Sequence, residues 1–137
     1  MKQHSIWVAL IVLIVASLAC DIPLGVRTVR GSGNVVTEAR ELSGFDSVVL
    51  SGVGQVIITQ GDEESLTIET DDNLMQYLES EVRNGRLELR IADNTIPIPT
   101  QSIIYRIGVI DLTAVDSSGA GSFEIDGLDT DRLKVTL

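Results

Sequence analysis

The feature that most limits what this chain can fold into is an octapeptide that occurs twice. Ser51-Gly52-Val53-Gly54-Gln55-Val56-Ile57-Ile58 returns as Ser118-Gly119-Ala120-Gly121-Ser122-Phe123-Glu124-Ile125. The preceding residues agree in character, Phe45-Asp46-Ser47-Val48-Val49-Leu50 against Leu112-Thr113-Ala114-Val115-Asp116-Ser117. Gly31-Ser32-Gly33-Asn34-Val35 is a fainter echo. Each copy reads as a strand, a Ser-Gly-x-Gly corner and a second strand. Gly31, Gly33, Gly52, Gly54, Gly119 and Gly121 are the expected corners, where the backbone turns sharply and a Cβ would clash. Stacking such units makes a ladder of strands with a continuous core that no single unit could bury. Two unrelated glycine-rich turns in a β-sandwich are the competing reading. A phosphate loop fits poorly, because no Gly-Lys-Ser/Thr follows and neither corner leads into a helix.

The rest of the chain reads as β. Phe45 to Leu50 and Gln55 to Gln60 are strand-like. Ser65 to Thr70 alternates, with Leu66 and Ile68 on one face. Arg86 to Ile91 does the same with Leu87, Leu89 and Ile91, and Ser102 to Ile110 with Tyr105, Ile107 and Val109. Period-two alternation marks half-buried strands. Asn84-Gly85 sits between two such runs and predicts a type I′ hairpin turn, which needs positive φ at both central residues. Asp71 to Leu78 is the one helical candidate, with Asp72 or Asn73 as its cap and Leu74 and Leu78 as i, i+4 neighbours. Pro97 and Pro99 mark a linker or an edge.

The N-terminus differs from this pattern. Lys2 and His4 precede an apolar run from Ile6 to Ala16, and Ser17-Leu18-Ala19-Cys20 follows. A basic start, a short apolar run and a small-residue cleavage zone predict a secretory signal, read here as a signal helix over residues 1–19. The run stops short of the roughly 20 apolar residues that a membrane span requires. Ser17 to Cys20 resembles the lipobox of bacterial lipoproteins, although Ser17 stands where leucine is usual. Cys20 is the only cysteine, with no partner for an intramolecular disulfide, and is the expected lipidation site. An ordinary signal peptide cut nearby, leaving a free thiol, is the alternative. A diacylglyceryl chain plus an N-terminal acyl chain would supply the two anchors that stable membrane attachment needs. Residues 20–30, with Pro23 and Gly25, read as a tether.

Little chemistry is available to the mature part. The only histidine, His4, lies in the signal region, so histidine-based triads, general bases and zinc sites are excluded there. Loss of residues 1–19 removes the single charge of Lys2 and takes the net charge from −10 to −11. Such a chain is repelled by nucleic acid. Asp62, Glu63 and Glu64 fall in one expected turn, and Asp126, Asp129 and Asp131 in another. Neither has the spacing of a calcium loop, and solvated turn acids are the simpler reading. Paired acids can also cleave glycosides, but Phe45, Tyr77, Tyr105 and Phe123 are the only aromatic residues after Trp7. Phe45 and Phe123 read as core, and Tyr77 and Tyr105 fit partial exposure or amphipathic packing equally well. No cofactor is expected and no catalytic residue stands out.

The ordered set of motifs resembles the putative auto-transporter adhesin, head GIN domain family. The resemblance rests on Gly31 to Val35, Val48 to Gly54, and the turn Gly61 to Leu66. Asp72-Asn73-Leu74, Glu81 to Leu87 and Leu112 to Gly121 extend it. It covers residues 31–137 and implies a right-handed, single-stranded β-helix or β-solenoid-like domain in exported proteins, without catalytic residues. It also implies further strand–corner units beyond Leu137, so the domain reads as incomplete at its C-terminus. The expectation is an all-β, membrane-attached extracytoplasmic module at the cell surface or in the periplasm. Its partner would be a protein or a glycan. An envelope structural or stress-sensing partner of a membrane protein, and a polysaccharide-active enzyme, are the rival functions.

Overall fold

A computed structural model describes residues 25–129 and 132–137 of the 137-residue chain. The signal segment, Cys20 and Asp131 lie outside the described residues. Among the described residues the fold is all-β with one short helix. In chain order the elements are β1 Arg27–Arg30, β2 Val35–Arg40, β3 Ser47–Ser51, β4 Val53–Gln60 and β5 Ser65–Asp71. Then come α1 Asp72–Met75, β6 Leu78–Arg83, β7 Arg86–Ile91, β8 Thr95–Ile98 and β9 Ile104–Val109. The last are β10 Ala114–Ser117, β11 Ala120–Asp126 and β12 Lys134–Thr136.

These strands build two five-stranded sheets and one two-stranded pair. The first sheet has the order β12-β10-β3-β7-β6 and the second β11-β4-β9-β5-β2, while β1 pairs with β8. The octapeptide copies stack in register. Val48 lies beside Val115 and Leu50 beside Ser117 in the first sheet. Gly54 lies beside Gly121, Val56 beside Phe123 and Ile58 beside Ile125 in the second. On the other side of the central copy, β7 places Leu87 and Leu89 against Val48 and Leu50. There β9 places Tyr105 and Ile107 against Val56 and Ile58. Three tiers of like residues therefore point inward between the sheets. Leu50, Val56, Ile58, Leu87, Leu89 and Val109 are fully buried, in one core cluster.

Alternation in the sequence gives this directly, since inward residues recur every second position. The pairing is parallel between tiers but not throughout. β6 runs antiparallel to β7, β5 to β9 and β2 to β5, so each sheet ends in antiparallel strands. A uniform single-stranded β-helix would show parallel neighbours only. The difference has a local cause. The two residues Asn84-Gly85 link β6 to β7, and a two-residue turn permits only antiparallel pairing. Asn84 has φ 50° and Gly85 φ 76°.

Two expectations change. The tether over residues 20–30 ends in ordered structure, because Arg27–Arg30 forms β1 on β8. The helix expected over residues 71–78 is a single turn, Asp72–Met75, and Leu78 opens β6. Its N-cap is Asp71 and makes no side-chain cap bond. The Asp71 carboxylate is engaged elsewhere.

Candidate interaction surface

Asp71 is a buried carboxylate, 1% exposed, at the end of β5. It accepts hydrogen bonds from the Gly33 N–H at 2.7 Å, the Thr100 N–H at 2.9 Å and the Thr100 hydroxyl at 2.7 Å. Next to it, Asp72 accepts from the Asn34 amide and the Ser32 hydroxyl. Asn73 accepts from the Ser32 N–H and donates to the Arg30 carbonyl. Gly31 packs against Asp71 so closely that a Cβ there would overlap the carboxylate. The Gly31 to Asn34 segment is therefore a loop latched by Asp71, Asp72 and Asn73. Gly31 and Gly33 do not join the glycine stack, which corrects their reading as corners. The Thr100 hydroxyl, then its N–H and that of Gly33, hold the Asp71 carboxyl below the usual aspartate range. Asn34 and Ser32 do the same for Asp72. Hydrogen bonds donated to a carboxylate favour its charged form.

The other four corner glycines do stack. A Cβ on Gly119 would overlap the Gly52 carbonyl oxygen, and one on Gly121 would overlap the Leu50 side chain. Gly54, at φ 139°, would bring a Cβ to 2.8 Å from the Tyr105 ring and 2.9 Å from the Ile103 carbonyl. Gly52 would push on Ile91. The Ser118 hydroxyl lies 3.2 Å from that of Ser51, and the Ser118 N–H donates to the Leu50 carbonyl. At these corners the glycines let neighbouring backbone and side chains approach more closely than a Cβ would allow.

Beside them runs an open groove of about 630 Å³, with Val53, Gly54, Ala120 and Gly121 along one wall and Pro97, Ile98 and Pro99 along the other. Gln55, Ser102 and Ser122 supply its polar atoms. Its outer wall is β8. The Arg27 N–H donates to the Asn94 carbonyl and the Gly31 N–H to the Ile98 carbonyl. Backbone direction alternates along a strand, so Pro97 and Pro99 fall where an N–H would face away from β1. Neither can donate, and that edge of β8 cannot be extended by regular pairing. Ile96 and Ile98 are exposed on the same strand, at 52% and 41%, and Val26 beside β1 at 53%. This is a mixed apolar and polar face suited to contact.

The acidic turns divide. Glu64 accepts from the Gly44 and Phe45 N–H groups at 2.8 and 2.9 Å, so it tethers the start of the Phe45 unit. The Asp129 N–H donates to the Gln60 side chain. Among the described residues, no group of three or more His, Cys, Asp and Glu could hold a metal ion. Tyr105 is buried, at 1% exposure, which settles its two readings in favour of core; burial raises its hydroxyl pKa to about 12. Tyr77 is half-buried. Among the described residues, no helix is long and apolar enough to cross a membrane.

This glycine-stacked β domain with a latched loop belongs to a known class. The chain is a member of the family described as "Putative auto-transporter adhesin, head GIN domain", whose model matches residues 44–137. Solved structures share the fold. A "putative adhesin" of Bacteroides fragilis superposes with a TM-score of 0.73 at 22% identity, over 79% of this chain and 51% of its own. One from Parabacteroides merdae gives 0.70 at 22% identity, over 79% and 45%. A "putative lipid binding protein" of Parabacteroides distasonis gives 0.66 at 26% identity, over 72% and 44%. The chain thus spans about half the length of the solved structures it matches. No curated protein matches it.

Proposed function

We propose that this chain is an exported, lipid-anchored binding module of the adhesin type, which holds a protein or glycan partner and catalyses no reaction. The observation that carries the reading is membership of the adhesin head family over residues 44–137. The residues agree with it. The mature part has no histidine, its glycine corners are structural, and its buried carboxylate Asp71 is saturated by donors. The contact surface would be the outward strand faces and the groove beside Pro97 and Pro99. We read the architecture as a short right-handed β-solenoid. The in-register parallel stacking of β3–β4 on β10–β11 supports it, as does the right-hand preference of parallel crossovers. Lipidation at Cys20 rests on the Ser17 to Cys20 motif and the apolar run before it.

Protease shaving of intact cells, comparing the wild type with Cys20→Ala, tests the reading. Loss of the wild type from cells, with release of the variant in soluble form, supports a surface anchor. Protection of the wild type until lysis removes the adhesin reading. It would leave a module that serves an envelope protein instead.

A further inference from the structure

The two-stranded pair of β1 and β8 has a covered inner face and a bare outer one. Its parallel register sets Arg27 beside Thr95, Thr28 beside Ile96, Val29 beside Pro97 and Arg30 beside Ile98. Side chains alternate between the two faces of a strand. Val29, Thr95 and Pro97 share the inner face and are half-buried. Thr28, Arg30, Ile96 and Ile98 share the outer face and are exposed, and Val26 continues their row. Three of the six large apolar residues exposed among the described residues therefore lie on this one small face. The face belongs to the tier of β7 and β9, because β8 lies in the link between those strands. β3 and β4 separate that tier from β10 and β11.

Its charge departs from that of the chain. The sequence holds 20 acids against 10 lysines and arginines. Residues 25–32 and 94–101 hold Arg27 and Arg30 and no acid. Four other arginines are neutralised: Arg40 by Glu38, Arg83 by Glu81, Arg90 by Glu79 and Arg106 by Glu69. Arg27 and Arg30 have no acid partner among the described residues. Of the acids at the border, Asp72 is occupied by Ser32 and Asn34, and Asp93 stands before the start of β8. Exposed apolar residues gathered in one patch mark a contact site, and arginines beside them are drawn to the negative potential of an anionic lipid surface. The acidic remainder of the chain is repelled from the same surface, which orients the contact. Position favours it too. Val26 follows Cys20 by six positions. A chain spans at most about 3.6 Å per residue, so Val26 stays within about 22 Å of that cysteine.

We propose that the outer face of β1 and β8 rests on the anionic headgroups of the membrane that holds the chain, a contact that rests on the lipid-anchor reading of Cys20. Val26, Ile96 and Ile98 enter the headgroup boundary, and Arg27 and Arg30 meet the phosphates. The groove lies on the Pro97 side of β8 and stays open to a partner.

A fluorophore on the face reads the contact. The full chain, processed in cells and carrying Thr28→Cys, is labelled with NBD on its thiol. It is then reconstituted in vesicles of phosphatidylcholine with about one-third anionic phosphatidylglycerol. With Cys20 acylated, the introduced cysteine is the only free thiol. The label at position 28 is expected to shift to the blue and to be quenched by nitroxide-bearing lipid. A label at Asp62→Cys, beyond the far end of β4, should stay in water. Replacing Arg27→Gln or Arg30→Gln should weaken the contact equilibrium roughly 5-fold each, and both together about 30-fold. Neither arginine has an acid partner, so the melting temperature of the double variant should stay near that of the wild type. A label at 28 as wet as that at 62 overturns the proposal, as does a contact indifferent to both arginines. So does a blue shift without quenching from the lipid, which would mean that protein covers the face. Uptake of two labels per chain, or failure to float with the vesicles, shows instead that the anchor is missing, and the proposal falls with it.

Discussion

At the scale of single residues, Asp71 is a buried carboxylate fixed by its donors. Three donors converge on it, and a side chain at position 31 would overlap it. Its carboxyl, like that of Asp72, is held below the usual aspartate range. A depressed carboxyl stabilises the fold above its unfolded pKa, and the effect is lost as pH falls through the folded value. Thermal melts should therefore hold steady from neutrality to about pH 4 and fall below it. Asp71→Asn should melt lower at pH 7 and show a shallower acid limb. Tyr105 gives the opposite sign. Its hydroxyl is raised from 10.0 to about 12 by burial. Its contribution is complete below pH 10 and is lost as pH rises towards about 12. Tyr105→Phe should flatten the alkaline limb of the same melts.

Glycine at the corner has a steric rather than an electrostatic role. Gly119→Ala should cost about 1–3 kcal/mol, because the new Cβ meets the Gly52 backbone and not a mobile side chain. Gly61→Ala is the control, since nothing lies within 4 Å of a Cβ there. Urea melts of the two variants distinguish contact from a general loss of glycine.

At the scale of elements, the legible parts were those with a local physical signature. The alternation of Leu66 and Ile68, and of Leu87 and Leu89, marked β5 and β7, and Asn84-Gly85 marked the turn before β7. The repeat located β3, β4, β10 and β11, and even their partners, because matching residues stack. What the sequence hid was set by distant contacts. Arg27–Arg30 has only four residues and two arginines, and it is a strand because β8 accepts it. The echo at Gly31 looked like a corner because it shares the glycine spacing. Its partner lies about 40 positions away at Asp71 to Asn73, and no local pattern announces that. The groove was hidden for the same reason, since Val53, Pro97 and Ala120 meet only through tertiary folding. The energetic weight of the stack can be read tier by tier. Leu50→Ala, between two tiers, should lose about 2–5 kcal/mol. Ile125→Ala, half-buried on β11, should lose distinctly less in the same urea titration.

At the scale of the whole molecule, the tiers are not in chain order. The central tier, β3 and β4, is covered on one side by β7 and β9 and on the other by β10 and β11. A fold ruled by such non-local pairing closes slowly, on the order of milliseconds to seconds. Stopped-flow refolding from urea should fall in that range. A chain ended after Ile110 would lack β10, β11 and β12 and would uncover Val56 and Ile58. It should show no cooperative melt.

The central position of β3 and β4 also has a vectorial meaning. A ribosome or a translocation pore delivers the polypeptide from its N-terminus, so the segment from Ser47 to Gln60 emerges among the first. The strand that covers its last open side ends only at Asp126. Until that residue has emerged the tier has no second neighbour, and the segment from Ser47 to Gln60 remains threadable.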